Sequence, residues 1–149
     1  MGFGESKDTV FLINFSIMKH FQHPASCIHI CLGLTTEEGR FVGMLAFVSL
    51  NSHLGSELSW RDDLEALAYI LLFLCSGSLP WLSLSSYQGY PLKPLQLAIC
   101  ISKEMLTTGS HPMMPPELLT FLSCSCNLSF TQKLDTIIFK PPSFLPLQH

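Results

Sequence analysis

The stretch from Ser59 to Pro80, SWRDDLEALAYILLFLCSGSLP, constrains this chain more than any other. Ser59 suits a helix N-cap, and Asp62 can return a hydrogen bond to the cap's own backbone, as in a capping box. Asp62 and Asp63 both complement the positive end of a helix dipole. Leu64, Leu67, Ala68, Leu71, Leu72 and Cys75 recur at helical spacing, and Ile70, Phe73 and Leu74 make the far side apolar too. A helix apolar on all sides belongs in the middle of a domain. Gly77 supplies a C-terminal stop, and Pro80 follows it. The spacing therefore predicts a central buried helix over about Arg61 to Cys75.

This run is too short to cross a bilayer. Its continuously apolar part, Ala66 to Cys75, falls well below the roughly 20 residues a span requires. Ser76, Gly77, Ser78 and Pro80 then interrupt it, so no membrane span is expected. Composition sharpens the choice. Of 149 residues, 48% are hydrophobic and only 13% charged, about half the usual charged share. Such a chain is not disordered. It is either membrane-associated or a globular piece with an unusually apolar surface. A net charge of -3 and scattered Lys and Arg argue against nucleic acid as a partner.

The start, MGFGESKD, shows no basic region followed by an apolar stretch, so a cytoplasmic or nuclear setting is expected. In that setting the six cysteines are expected as reduced thiols, with Cys75 and Cys100 acting as small hydrophobes. Elsewhere, Thr9 to Ile13 reads as a short strand. Residues from about Ile17 to Ser52 lack a sustained period and read as a long loop. Leu82 to Lys93 is looser, and Pro94 can open a helix from Leu95 to about Leu106. Pro115 and Pro116 open another, with Leu118, Leu119, Leu122 and Cys126 as its apolar face. The tail after Lys140, PPSFLPLQH, cannot be an ordinary helix.

The stretch Ser49 to Trp81, SLNSHLGSELSWRDDLEALAYILLFLCSGSLPW, closely resembles the C-terminal lobe of casein kinase I family protein kinases. SxNxHLG, RDDLE and GSLPW in this order and spacing form a specific signature. VFLINFS is similar to the strand leading into the kinase Asp-Phe-Gly motif, and KHFQHPASCIHI to the family's activation loop. PPELLTFLSCSCNLSFTQKLD resembles a later helix and the segment after it. The resemblance implies a mainly α, protein kinase-like C-lobe fragment over residues 1–135: a short strand, a long activation-type loop, a central buried helix and two further helices. Residues 136–149 form a divergent Pro-rich tail.

The resemblance also assigns roles. Ser49, Asn51, His53, Gly55, Arg61, Asp62, Asp63 and Trp81 take structural ones. Asp63 would receive backbone N–H groups from the catalytic loop carrying His-Arg-Asp, which in the family lies upstream of the Met1-Gly2 turn. The alternative is a helix N-terminal acid satisfied by its own first turn. Phosphoryl transfer needs a Gly-rich loop, a Lys with its Glu partner, a catalytic Asp, a metal-binding Asn and the Asp of Asp-Phe-Gly. Only the last has a counterpart here, altered to Asn14-Phe15-Ser16, and Mg²⁺ favours the charged oxygens that Asn14 does not offer. Gly43-Met44-Leu45-Ala46 stands where the family carries Gly-Thr-Ala-Arg, and Gln22 where an Arg is usual. Leu45 cannot pair with phosphate.

No catalytic residue is therefore expected, and neither ATP nor Mg, the family's cofactors, is expected to bind. His20, His23, Cys27, His29 and Cys31 fit no standard zinc spacing. Met1-Gly2-Phe3-Gly4 lacks the preceding strand of a nucleotide cradle. The function implied is that of a truncated, degenerate casein kinase I-like protein, a pseudokinase or binding fragment. Its apolar surface would favour a protein partner or self-association. The rival readings are a serine/threonine kinase whose upstream half lies outside these residues, and a small membrane-associated protein.

Overall fold

The computed structural model describes residues 4, 7, 9, 18–20, 22–30, 43–85, 91–108 and 114–132. The chain divides into two compact units, Met1–Ile30 and Cys31–His149. In the first, Gln22 and His29 form an isolated antiparallel bridge. The reversal between them is held by His23 N–H donating to Ile28 C=O and Cys27 N–H to His23 C=O, both at 2.9 Å. Cys27 carries the turn in the left-handed region, φ 53°. The strand expected over Thr9 to Ile13 lies outside the described residues apart from Thr9, as does the boundary expected near residue 135.

The second unit is mainly helical. Its elements are α1 (Leu50–His53), α2 (Trp60–Ser76), α3 (Leu82–Ser85), α4 (Leu92–Thr108) and α5 (Pro116–Asn127). α2 begins as its sequence requires. Ser59 is extended, and Asp62 Oδ2 accepts the Ser59 N–H at 2.7 Å, which forms the acidic half of a capping box. It stops at Gly77, whose φ of 71° is left-handed and whose N–H donates to Phe73 C=O at 2.8 Å. α5 opens with Pro116 in its first turn, where a missing N–H costs no helical bond.

Three expectations need correction. The long loop ends sooner than Ser52, because α1 starts at Leu50 and a hydrogen-bonded turn precedes it, Phe47 N–H to Met44 C=O at 2.9 Å. That turn is entered through Gly43 at φ +111°, where a Cβ would lie 2.7 Å from Val48 Cγ1. α4 begins at Leu92 rather than after Pro94, so Pro94 sits in the first helical turn, whose N–H groups have no intrahelical partner in any helix. And part of the stretch thought loose, Leu82 to Lys93, is helical at both ends, in α3 and at the start of α4.

α2 is central, but it is not buried on all sides. It packs chiefly on α5 and also meets α1. Its inward face is Asp62, Glu65, Ala68, Tyr69 and Leu72. Leu67, Ile70 and Leu74 are exposed, and so is Cys75, which therefore does not act as a core hydrophobe. Cys100 is buried, as expected. Leu71 is half-buried, whereas its neighbour Leu72 is fully enclosed among Ala46, Tyr69, Trp81, Ile99 and Leu122 of the same core. Leu72→Ala is expected to cost about 2–5 kcal/mol, while Leu74→Ala, at a site 70% exposed, should stay within roughly 0.5 kcal/mol of the parent. Urea midpoints of the two variants give the comparison; equal shifts would mean that α2 packs by another face. Among the described residues, no helix is long and apolar enough to cross a membrane.

Candidate functional site

Four of the side chains singled out by sequence, Ser49, Asn51, His53 and Asp62, lie where α1 meets α2 and α4. Ser49 Oγ caps α1 by accepting the Ser52 N–H at 3.1 Å. From α1, Asn51 Nδ2 donates to Asp62 Oδ1 at 2.9 Å, while the other oxygen of Asp62 caps α2. One buried carboxylate thus fixes the start of both helices. Arg61 reaches the opposite way, Nη1 donating to Leu128 C=O at 3.0 Å and the guanidinium lying 5.9 Å over the Phe130 ring. It ties the head of α2 to the exit of α5. Gly55, at φ +68°, lets the chain leave α1.

Behind this join lies Lys103, fully buried on α4. Its ammonium donates to the carbonyls of Leu45 (3.1 Å) and Val48, and to His53 Nε2 at 3.0 Å. It also faces two aromatic rings, Tyr69 at 4.7 Å and Trp81 at 5.5 Å to the centroids. Trp81 stands edge-on to Tyr69, and its Nε1 donates to Ala46 C=O at 2.7 Å. Glu65, also buried, uses a single oxygen, Oε1, to accept both the Leu50 N–H and the Tyr69 O–H at 2.8 Å.

This environment shifts its ionisable groups in consistent directions. Burial and then the Lys103 charge lower His53 from 6.5 to about 4, against the smaller opposing effect of a hydrogen bond to the Leu45 backbone. Burial lowers Lys103 to about 8, with the Glu65 charge acting against that shift. Burial raises Glu65, and burial together with the Glu65 charge pushes the Cys126 thiol up to about 12. Cys126 is thereby kept a protonated thiol, a hydrogen-bond donor rather than a nucleophile.

The remaining candidates fall elsewhere. Asp63 is exposed on the first turn of α2 and has no hydrogen-bond donor among the described residues. Partial desolvation of its carboxyl, and then the adjacent Asp62 charge, raise its pKa. Asn14, Phe15 and Ser16 lie outside the described residues. Leu45 is partly buried and packs against the core, and Gln22 Nε2 is hydrogen-bonded to His29 Nε2 at 3.2 Å. Among the described residues, no group of three or more His, Cys, Asp or Glu could hold a metal.

Lys103, Glu65 and Tyr69 were not singled out by sequence, although they anchor the cluster. Helical spacing offered a signal for all three. Counting back by helical steps from Leu72 reaches Tyr69, Glu65 and Asp62 on one face. Likewise Ile99, Cys100, Lys103 and Leu106 share one face of α4. No protein-family model matches the chain.

Proposed function

We propose that this chain is a degenerate casein kinase I-like C-lobe segment that binds a protein partner and does not itself transfer phosphate. The observation that supports it most is the shared use of Asp62 by Asn51 and by the α2 cap. That bond joins the SxNxH and RDDLE segments, and the resemblance gives both segments structural roles. In the sequence, Asn14 offers magnesium a neutral oxygen where the family offers a carboxylate.

A partner surface is available on α2. Asp63, Leu67, Ile70 and Leu74 recur at helical spacing, and all four are exposed. A contiguous exposed apolar patch is the kind of surface that a protein partner covers. Its apolar residues are flanked by Asp63, whose acceptor oxygens are available to a donor.

Catalytic silence is tested by repairing the apparent defect. Asn14→Asp restores a carboxylate, yet it is expected to restore no activity. Residues that act as a unit on the transferring phosphate do not contribute additively. The Gly-rich loop, its Lys and the catalytic Asp have no counterpart in these 149 residues. Mg-ATP binding by calorimetry and phosphate transfer to an acidic protein should both stay at background for the parent and for Asn14→Asp. Saturable ATP binding or substrate labelling by either one would refute the proposal.

A further inference from the structure

The contact between Lys103 and His53 carries a consequence that no kinase chemistry requires. An ammonium has three N–H donors and no acceptor, so His53 can receive its hydrogen bond only through an unprotonated ring nitrogen. Protonating His53 places two cations 3.0 Å apart. One of them, Lys103, has no exposure to water at all. A hydrogen bond between His53 and the Leu45 backbone opposes this repulsion, but with a smaller effect than burial and the Lys103 charge. Among the described residues Lys103 makes no ion pair, and Glu65, whose charge acts on Lys103, directs its Oε1 to Leu50 and Tyr69.

The three groups that Lys103 holds all belong to one stretch of chain, Leu45, Val48 and His53. That stretch includes α1 and the turn before it. Water can reach the His53 side, since His53, Leu54, Lys93, Gln96, Leu97 and Cys100 line an open hollow of about 290 Å³. We infer that His53 and Lys103 form an acid-sensitive latch, in which protonation of His53 releases residues 45–54 from α4 while the α2–α5 pair stays folded.

The sign follows from the two states of the latch. In the released segment His53 is in water and titrates near 6.5; in the closed one it resists protonation down to about 4. The released state therefore binds more protons throughout that window. The closed state is fully favoured above pH 6.5, loses ground as pH falls below it, and reaches its lower plateau near pH 4. A gap of this size corresponds to a weakening on the order of 10²-fold. The other ionisable groups around the latch are Asp62, Glu65 and Tyr69 on α2, Lys93 and Cys100 on α4, and Cys126 on α5. A control for His53 must leave all of these groups in place.

His53→Gln is that control. The Gln Oε1 can accept from Lys103 and does not titrate. Amide hydrogen exchange of the full chain, read between pH 7 and pH 4, compares amides 47–54 with those near Leu72 and Leu122 in the same sample. The ratio removes the common pH dependence of exchange. In the parent, protection of 47–54 is expected to fall by about 10²-fold relative to the helix amides across this window, and in His53→Gln the ratio should be flat. A flat ratio in the parent, an equal fall in His53→Gln, or loss of the helix amides in step with the segment each overturns the inference. Should His53→Gln not fold, the ring resonances of His53 in the parent decide: titration near 4 supports the latch, and titration near 6.5 overturns it.

Discussion

Trp81→Ala is expected to leave this chain largely unfolded at room temperature. The Trp81 side chain is fully buried, packs edge-on against Tyr69 at 5.2 Å and donates to Ala46 C=O. Truncating a buried tryptophan costs roughly 3–5 kcal/mol through lost burial and the cavity left behind. The Ala46 carbonyl also loses its donor, a further penalty of about 1–3 kcal/mol. Together these approach the whole stability of a small domain, about 5–15 kcal/mol. Trp81→Phe keeps a ring against Tyr69 and loses mainly the hydrogen bond, so it should retain most of the structure. Urea titrations followed by far-ultraviolet circular dichroism separate the cases without relying on indole fluorescence, which Trp60 would confuse. An Ala variant with the parent's midpoint would remove Trp81 from the core.

What the sequence disclosed was governed by distance along the chain. The cap at Ser59 and Asp62, the stop at Gly77 and the opening of α5 at Pro116 all depend on residues within one turn. Their side chains act on nearby backbone, so the local pattern is enough. The start of α4 was misplaced for a related reason. Proline is compatible with any position of a helix's first turn, so Pro94 marks a beginning without saying which residue is first.

Helical spacing groups Asp62, Glu65, Tyr69 and Leu72 on one face of α2, but an almost wholly apolar run offers no contrast to say that this face points inward. Its two buried carboxylates, Asp62 and Glu65, look by composition like solvent-facing residues. They are tolerable inside only because Asn51, the Ser59 amide, the Leu50 amide and Tyr69 donate to them. Lys103 is the extreme case. Its hydrogen-bond partners lie 58, 55 and 50 residues away in sequence, and two of them are backbone carbonyls that carry no side-chain signature. Ser49, Asn51, His53 and Trp81 make hydrogen bonds within the helical unit, whereas Asp63 stands exposed on α2.

Glu65→Ala and Glu65→Gln are expected to differ by several kcal/mol, although both remove the same charge. Glu65 Oε1 is the common acceptor for the Leu50 N–H and the Tyr69 O–H. Alanine leaves both donors inside without a partner, at about 1–3 kcal/mol each, and opens space beside Tyr69. Glutamine presents a carbonyl oxygen of the same reach, with two lone pairs for the same two donors. Its charge is not missed to the same degree. Burial raises the Glu65 pKa, so the folded protein holds a proton on Glu65 at pH values where the unfolded chain has lost it. Ionisation of Glu65 therefore subtracts stability as pH rises through that window, and glutamine avoids the loss. Against this, Lys103 loses a distant opposite charge in either variant. The backbone and Tyr69 bonds outweigh that Coulombic term, because Lys103 is held by carbonyls and His53 rather than by a contact with Glu65. Denaturation at pH 7 should place Glu65→Gln within about 1 kcal/mol of the parent and Glu65→Ala at least about 3 kcal/mol below it. If the two variants are equally destabilised, the charge of Glu65 matters more than its hydrogen bonds, and the polar join between α1 and α2 is an ionic one.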